Sequence, residues 1–353
     1  LKFFNREKEI KRLKGILSGE PNVIWFIYGP INSGKTALIT EVCEELPEEY
    51  VVFYINFRGK QISRVEDLIR ALFKTKKSKE MVSDEVKDVV KEFLKIGSGV
   101  IGKLLLKGIP IPESIFEVLF RSKDKVEDIY SFLEEYFGEI KNSGKKVVFV
   151  LDELQVIKEV VNTAGRPVLS SLFNFLVRLT KETHLCHCLC ATSDCLFMEE
   201  IYKNAHLQGR AKGFLVDDLE KEEAFKLYEA FGFKEKELIW DHIGGKVGDM
   251  VLLLEEKKQG ISEKEAVINL LEREVGRLEW IKYVKLPEIE DGKRLWRFLL
   301  KFKEKKEIKR QEVGEELKKV FFWVEENILF FEPVKGIIRP QGRLIWKAIL
   351  EVT

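Results

Sequence analysis

Eight residues, Gly29-Pro30-Ile31-Asn32-Ser33-Gly34-Lys35-Thr36, fit the pattern G-x-x-x-x-G-K-[ST] at every position. The apolar run Val23 to Tyr28 precedes them and reads as a buried strand. A helical pattern from Gly34 to Leu46 follows, with Leu38, Val42 and Leu46 four apart. Strand, glycine turn and helix together constrain this stretch to a phosphate-binding loop. Gly29 and Gly34 permit backbone conformations closed to other residues. The amides of the loop and of Ala37 then converge on phosphate oxygens at a positive helix end. Lys35 supplies a cation for the terminal phosphates, and Thr36 a hydroxyl for Mg²⁺.

A second segment carries complementary chemistry. Lys146 to Glu153 (KVVFVLDE) is an apolar strand ending in two carboxylates. In this order after the loop, Asp152 is expected to hold the Mg²⁺ water shell and Glu153 to polarise an attacking water. A plain helix N-cap is the competing explanation of such an acidic pair. A further strand ends at Ala191-Thr192-Ser193-Asp194, where Ser193 or Thr192 is either a polar sensor of the phosphate end or a turn cap.

The alternation of strands and helices through residue 216 predicts an α/β fold with a parallel sheet covered on both faces. Its expected strands are Val23–Tyr28, Val51–Phe57, Lys146–Leu151, Leu185–Ala191 and Gly213–Val216. Phe3–Leu17 reads as an amphipathic helix with Asn5 as N-cap, and Arg64–Phe137 as mostly helical with a break near Gly97–Pro112. The glycine-rich apolar stretch Ile96–Ile111, broken by Lys103 and Lys107, reads as a buried hairpin or helix pair rather than a membrane contact. From Asp217 the pattern is helical to about Trp280, and Pro287 and Gly292 mark a linker. Two helices, two strands (Ile328–Phe331 and Gly336–Arg339) and a last helix, Gln341–Leu350, then suggest a winged helix. The expected divisions are 1–216, 217–286 and 287–353.

These pieces resemble the archaeal P-loop ATPases related to AAA+ proteins and to signal-transduction NTPases such as apoptotic and plant-resistance switches. The resemblance covers almost the whole chain. It implies a RecA/AAA+-like parallel-sheet core, a helical lid and a C-terminal winged-helix domain. It places Phe4-Asn5-Arg6-Glu7-Lys8-Glu9-Ile10 beside the adenine, which makes Arg6 a nucleotide-binding candidate. Additional-strand ATPases of this kind put a γ-phosphate sensor where Ser193 and Thr192 stand. Leu207-Gln208-Gly209-Arg210-Ala211 is similar to the segment before the lid, so Arg210 is a candidate γ-phosphate or arginine-finger residue. Ile243 to Met250 (IGGKVGDM) resembles the lid segment G-G-x-P, with Val247 where proline is expected.

Composition limits the remaining choices. No run of 18 apolar residues occurs and no signal peptide is recognisable, which points to a cytoplasmic protein without membrane contact. Residues 292–353 hold 15 Lys and Arg against 9 Asp and Glu, a net of +6, while the remainder is net −5. A basic C-terminal module suggests DNA, or else a solvated lysine-rich face. Cys186, Cys188 and Cys190 alternate along a strand, which argues for core thiols rather than a zinc site.

The reading that follows is an ATP-binding, Mg²⁺-dependent ATPase with Glu153, Lys35, Arg210 and Ser193 as catalytic candidates. The nucleotide cradle is Gly29, Pro30, Ile31, Asn32, Ser33, Gly34, Lys35, Thr36 and Ala37 with Arg6; Thr36 and Asp152 are the metal candidates. The chain either drives work on DNA or is a slow switch whose winged helix contacts a protein partner. A small-molecule kinase is disfavoured, since Asp152-Glu153 suits water attack and no acceptor pocket is legible.

Overall fold

The computed structural model describes residues 6–76, 90–91, 104–121, 125–158, 160, 162, 165–202 and 207–352. Its strands are β1 (Ile24–Tyr28), β2 (Tyr50–Asn56), β3 (Phe73–Lys76), β4 (Leu104–Leu106), β5 (Ile109–Pro112), β6 (Lys146–Asp152), β7 (Cys186–Thr192), β8 (Ala211–Leu215), β9 (Ile308–Lys309), β10 (Leu329–Glu332) and β11 (Ile337–Pro340). Six of them form a parallel sheet in the order β4-β2-β6-β7-β1-β8. Thus β7 lies between β1, which feeds the glycine turn, and β6, which ends in the acidic pair. That is the arrangement implied by the additional-strand resemblance.

The central strands are nearly continuous apolar runs because both faces are covered. On one face, Leu13 and Leu17 of the helix Glu7–Ser18 pack with Leu38, Ile39 and Val42 of the helix Lys35–Glu44 over Ile27, Val52, Val148 and Val150. On the other, Tyr136 and Phe137 of the helix Lys125–Asn142 and Phe173 of the helix Arg166–Val177 meet Phe26, Phe53 and Phe149. Phe53 stacks on Phe137 at 5.4 Å and Phe26 meets Phe173 edge-on at 5.7 Å. Burying a side chain such as Phe173 contributes roughly 1.5–3 kcal/mol. Strand alternation sends Cys186, Cys188 and Cys190 to this aromatic face and Leu189 and Ala191 to the other, so the three thiols are core residues.

Beyond β8 come the helices Lys221–Ala230, Lys236–His242, Val247–Lys258 and Glu263–Trp280, the last of which packs along the final helix, Arg343–Glu351. The C-terminal elements run helix (Gly292–Leu300), β9, two helices (Arg310–Val313 and Leu317–Glu325), β10, β11 and the final helix. Their three strands form an antiparallel sheet in the order β10-β11-β9. No helix among the described residues is long and apolar enough to cross a membrane.

Three sequence expectations need correction. Residues 64–137 are less helical than expected: β3 interrupts them, while β4 and β5 fall within the expected break. The apolar stretch 96–111 is neither a hairpin nor a helix pair in its described part. There β4 pairs with β2, β5 pairs with β3, and both pairings are parallel; residues 96–103 lie outside the described residues. Asn5 and Phe4 lie there too, and the helix begins at Glu7 behind Arg6, whose backbone is left-handed with φ 69°.

Candidate functional site

The glycine turn follows β1 directly. A Cβ at Gly29 would lie 2.1 Å from the carbonyl oxygen of Val216, so no larger residue fits beside the end of β8. Gly34 takes φ 92° and sends the chain into the helix Lys35–Glu44. The loop therefore leads directly into a helix N-terminus, an end that favours an anion. Lys35 is buried, and its Nζ donates to the carbonyls of Gly29 (3.1 Å) and Pro30 (2.8 Å). Burial, assisted by neighbouring Lys246, lowers its pKa to about 8. Ser33 Oγ is fully buried and has no hydrogen-bond partner among the described residues. A lysine bonded to its own loop's carbonyls and an orphaned hydroxyl are groups that a polyphosphate would satisfy.

Arg6 closes one side of the loop. Its guanidinium is buried and donates to the carbonyls of Ser33 (2.5 Å) and Asp217 (2.7 Å) and to Glu9 (2.9 Å). It thereby ties the N-terminal helix to the loop and to the chain leaving β8. Asn32 and Ala37 are exposed, at the tip of the loop and on the first helical turn.

The acidic pair stands at the adjacent strand ends. Asp152 Oδ2 accepts hydrogen bonds from Thr36 Oγ1 (2.8 Å), Tyr54 OH (2.5 Å) and Asn56 Nδ2 (3.4 Å). Burial and the Asp152 charge hold the Tyr54 phenol well above its usual pKa. One carboxylate and one hydroxyl, both hard oxygen donors, suit Mg²⁺, which keeps much of its water. Glu153 sits at φ 59°, a left-handed backbone that costs of order 1–3 kcal/mol in a residue with a side chain. Its N–H donates to Asp152 Oδ1 at 2.9 Å. Its carboxylate is shared, with Oε1 paired to Arg58 and Oε2 accepting from Gln155 Nε2 at 2.6 Å. Gln155 in turn accepts from Thr192 Oγ1 (2.7 Å) and reaches Ser193 Oγ (3.4 Å).

Residues beyond β8 contact the loop. Lys246 Nζ donates to the Ile31 carbonyl at 3.0 Å and pairs with Asp218 at 3.2 Å. Gly248 N–H donates to the Asn32 carbonyl at 3.2 Å. Ile31 N–H donates to Gln341 Oε1 at 3.3 Å, Tyr28 OH to Glu332 Oε1 at 2.5 Å, and Arg339 pairs with Asp217. Lys246 and Gly248 flank Val247, so the segment without proline still reaches the loop.

Thus the fold brings Arg6, the loop residues 29–37, Asp152, Glu153 and Ser193 to one end of the sheet. Arg210 is not among them. It precedes β8, and its carbonyl accepts from the N–H of Ile24, the first residue of β1. Five strand residues separate that level from the glycine turn, about 16 Å. Arg210 instead lines a groove of about 700 Å³ with Tyr130, Phe175 and Arg178. Sequence reasoning also missed Tyr54, Arg58, Gln155, Lys246 and Gln341; Asn56 at the end of β2 and Arg58 two residues past it were a local sign of polar groups converging there.

Three members of the basic C-terminal cluster are paired. Lys301 pairs with Glu316 (2.6 Å), Lys305 with Glu312 (2.7 Å) and Arg310 with buried Glu199. Lys306 lies 4.7 Å over the Trp346 ring. The helix Leu317–Glu325 packs against the helix Cys195–Tyr202, which follows the β7 end.

Residues 3–253 match the model of an ATPase domain found predominantly in Archaea, and residues 264–353 match the C-terminal domain of MJ1010-like uncharacterized ATP-binding proteins. An uncharacterized ATP-binding protein of Methanocaldococcus jannaschii is 41% identical over 99% of this chain and 97% of its own. One from Pyrococcus abyssi is 38% identical over 99% and 98%. Among solved structures, the Aeropyrum pernix ORC2 protein in its ADP form aligns with TM-score 0.47 and 10% identity, over 99% of this chain and 97% of that one. The ORC1 protein of the same organism, in complex with DNA, aligns with TM-score 0.41 and 14% identity, over 99% and 92%.

Proposed function

The chain belongs to the family of ATPase-domain proteins found predominantly in Archaea, and from that premise we propose that it binds ATP with Mg²⁺ and hydrolyses it to ADP and phosphate. The observation that carries this reading is the 2.8 Å bond between Thr36 Oγ1 and Asp152 Oδ2, beside Glu153 and in front of the phosphate loop. Loop amides from Ser33 to Ala37, with Lys35 turned away from the Gly29 and Pro30 carbonyls, would hold the phosphates; Arg6 would border the nucleoside. Thr36 and Asp152 would hold Mg²⁺, which when bound would neutralise developing negative charge on the phosphates. Glu153 accepts a proton from water as the water oxygen bonds to the γ-phosphorus. The bond from that phosphorus to the bridging oxygen breaks, and its electron pair leaves with ADP. Ser193 or Thr192 reports on the phosphate end.

The units we assign are a core (1–216), a lid (217–286) and a winged helix (287–353). The contacts of Lys246, Gly248 and Gln341 with the loop support nucleotide-driven motion of the last two against the first. The ion pairs of Lys301, Lys305 and Arg310 favour the slow switch with a protein partner over work on DNA. Phosphate release measured with Mg²⁺ and with excess chelator, then with single- and double-stranded DNA, tests both parts. Mg²⁺-dependent release that DNA does not accelerate is expected. No release from wild-type protein defeats the hydrolysis reading, and strong stimulation by DNA restores the rival.

A further inference from the structure

We propose that Gln155 is a positioning residue, which holds the Glu153 carboxylate against the end of β7 and makes its aim depend on Thr192 and Ser193. This deepens the hydrolysis reading above and rests on it. The hydrogen-bond directions leave little choice. The Glu153 carboxylate can only accept, so the Gln155 atom 2.6 Å from its Oε2 is the amide nitrogen, which also lies 3.4 Å from Ser193 Oγ. Gln155 Oε1 then faces Thr192 Oγ1 and accepts its proton at 2.7 Å. Thr192 Oγ1 in turn accepts the Asp194 N–H at 3.1 Å. Thr192 is buried, and Gln155 stands on the short helix Leu154–Ile157, whose end residues are both buried. The amide is therefore carried by a packed element, while Arg58, on the other carboxylate oxygen, is largely exposed. A change in the hydrogen bonds of the β7 end reaches Glu153 through this one side chain.

The test compares Gln155→Ala, Gln155→Met, Thr192→Val and the Gln155→Ala/Thr192→Val double variant, with Glu153→Gln as reference. The readouts are kcat, the KM for ATP and the Kd of a fluorescent ATP analogue. Both Gln155 variants should lose roughly ten- to a hundredfold in kcat with Kd within about twofold, since a misaimed base slows chemistry without loosening the phosphates. Retained analogue binding shows that they fold. Thr192→Val should slow kcat as well, and the double variant should be no slower than the slower single variant. A wild-type kcat in both Gln155 variants, while Glu153→Gln is inactive, overturns the proposal. So do losses from Gln155→Ala and Thr192→Val that multiply. A Glu153→Gln variant as active as wild type defeats the hydrolysis reading itself, which separates the two failures.

Discussion

Gln341 Oε1 accepts the main-chain N–H of Ile31 at 3.3 Å, across 310 residues of sequence. A side chain just past β11 thus sits on the phosphate loop. Glu332 of β10 supports the same contact through Tyr28, the last residue of β1. If this clasp must open for exchange, a Gln341→Ala/Glu332→Gln variant should release ADP faster. Two hydrogen bonds worth about 1 kcal/mol each correspond to roughly tenfold or more in rate. Stopped-flow release of a fluorescent ADP analogue measures it, and an unchanged off-rate removes the clasp from the exchange step.

Lys35 gives a proton-linkage signature. Its pKa in the free site is about 8, and phosphate contacts stabilise the charged form. Binding near pH 8.5 should therefore take up a fraction of a proton, and uptake should fade towards pH 6.5, where the lysine is already charged. Calorimetry in buffers of different ionisation enthalpy reads this directly. Lys35→Ala should abolish the uptake and weaken ATP binding; wild-type affinity in that variant would rule out the phosphate-loop assignment.

Glu153→Gln preserves the shape of the side chain and removes the base. Bound ATP should persist while turnover falls by about 10²-fold or more. A malachite-green assay beside an analogue-binding titration separates the two effects.

The thiols should behave as core groups. Burial pushes Cys43 and Cys195 up to about 12 and raises Cys188 and Cys190 well above the ordinary thiol range. Since the thiolate is the reactive form, native protein at pH 8 should resist iodoacetamide and label only once unfolded. Replacing Cys186, Cys188 and Cys190 with Val or Ala should cost on the order of 1 kcal/mol per site through packing. Rapid native labelling, or stoichiometric zinc lost on substitution, would contradict this.

Duplex DNA binding should be weak and shallow in its salt dependence. With Lys301, Lys305 and Arg310 already paired, the cluster offers few cations to phosphates. The slope of log affinity against log salt should be no steeper than about −2, at roughly 0.9 per neutralised phosphate. A slope near −5 in an anisotropy titration would return the DNA reading to first place.

The sheet was legible because its signals are local. Apolar runs such as Lys146–Leu151 and the glycine turn each carry their meaning within a few residues, and only the additional-strand resemblance implied that β7 lies between β1 and β6. β9 was not legible, since two residues have no periodicity. Nor were β3 and β5, whose pairing depends on a crossover rather than a turn. Glu153 could be named from KVVFVLDE, but its partners Gln155 and Arg58 could not be assigned. Their roles arise from β7 and β2 lying on either side of β6, which no spacing in the chain reports. Gln341 was hidden for the same reason at longer range.

Arg210 lies at the far end of the sheet from its own phosphate loop, so a part for it in turnover would have to be played at the loop of a second chain. That would make activity a collective property. Rate per chain would fall on dilution, and two individually inactive proteins, Arg210→Ala and Lys35→Ala, would recover activity when mixed, each lending the other the half it still has.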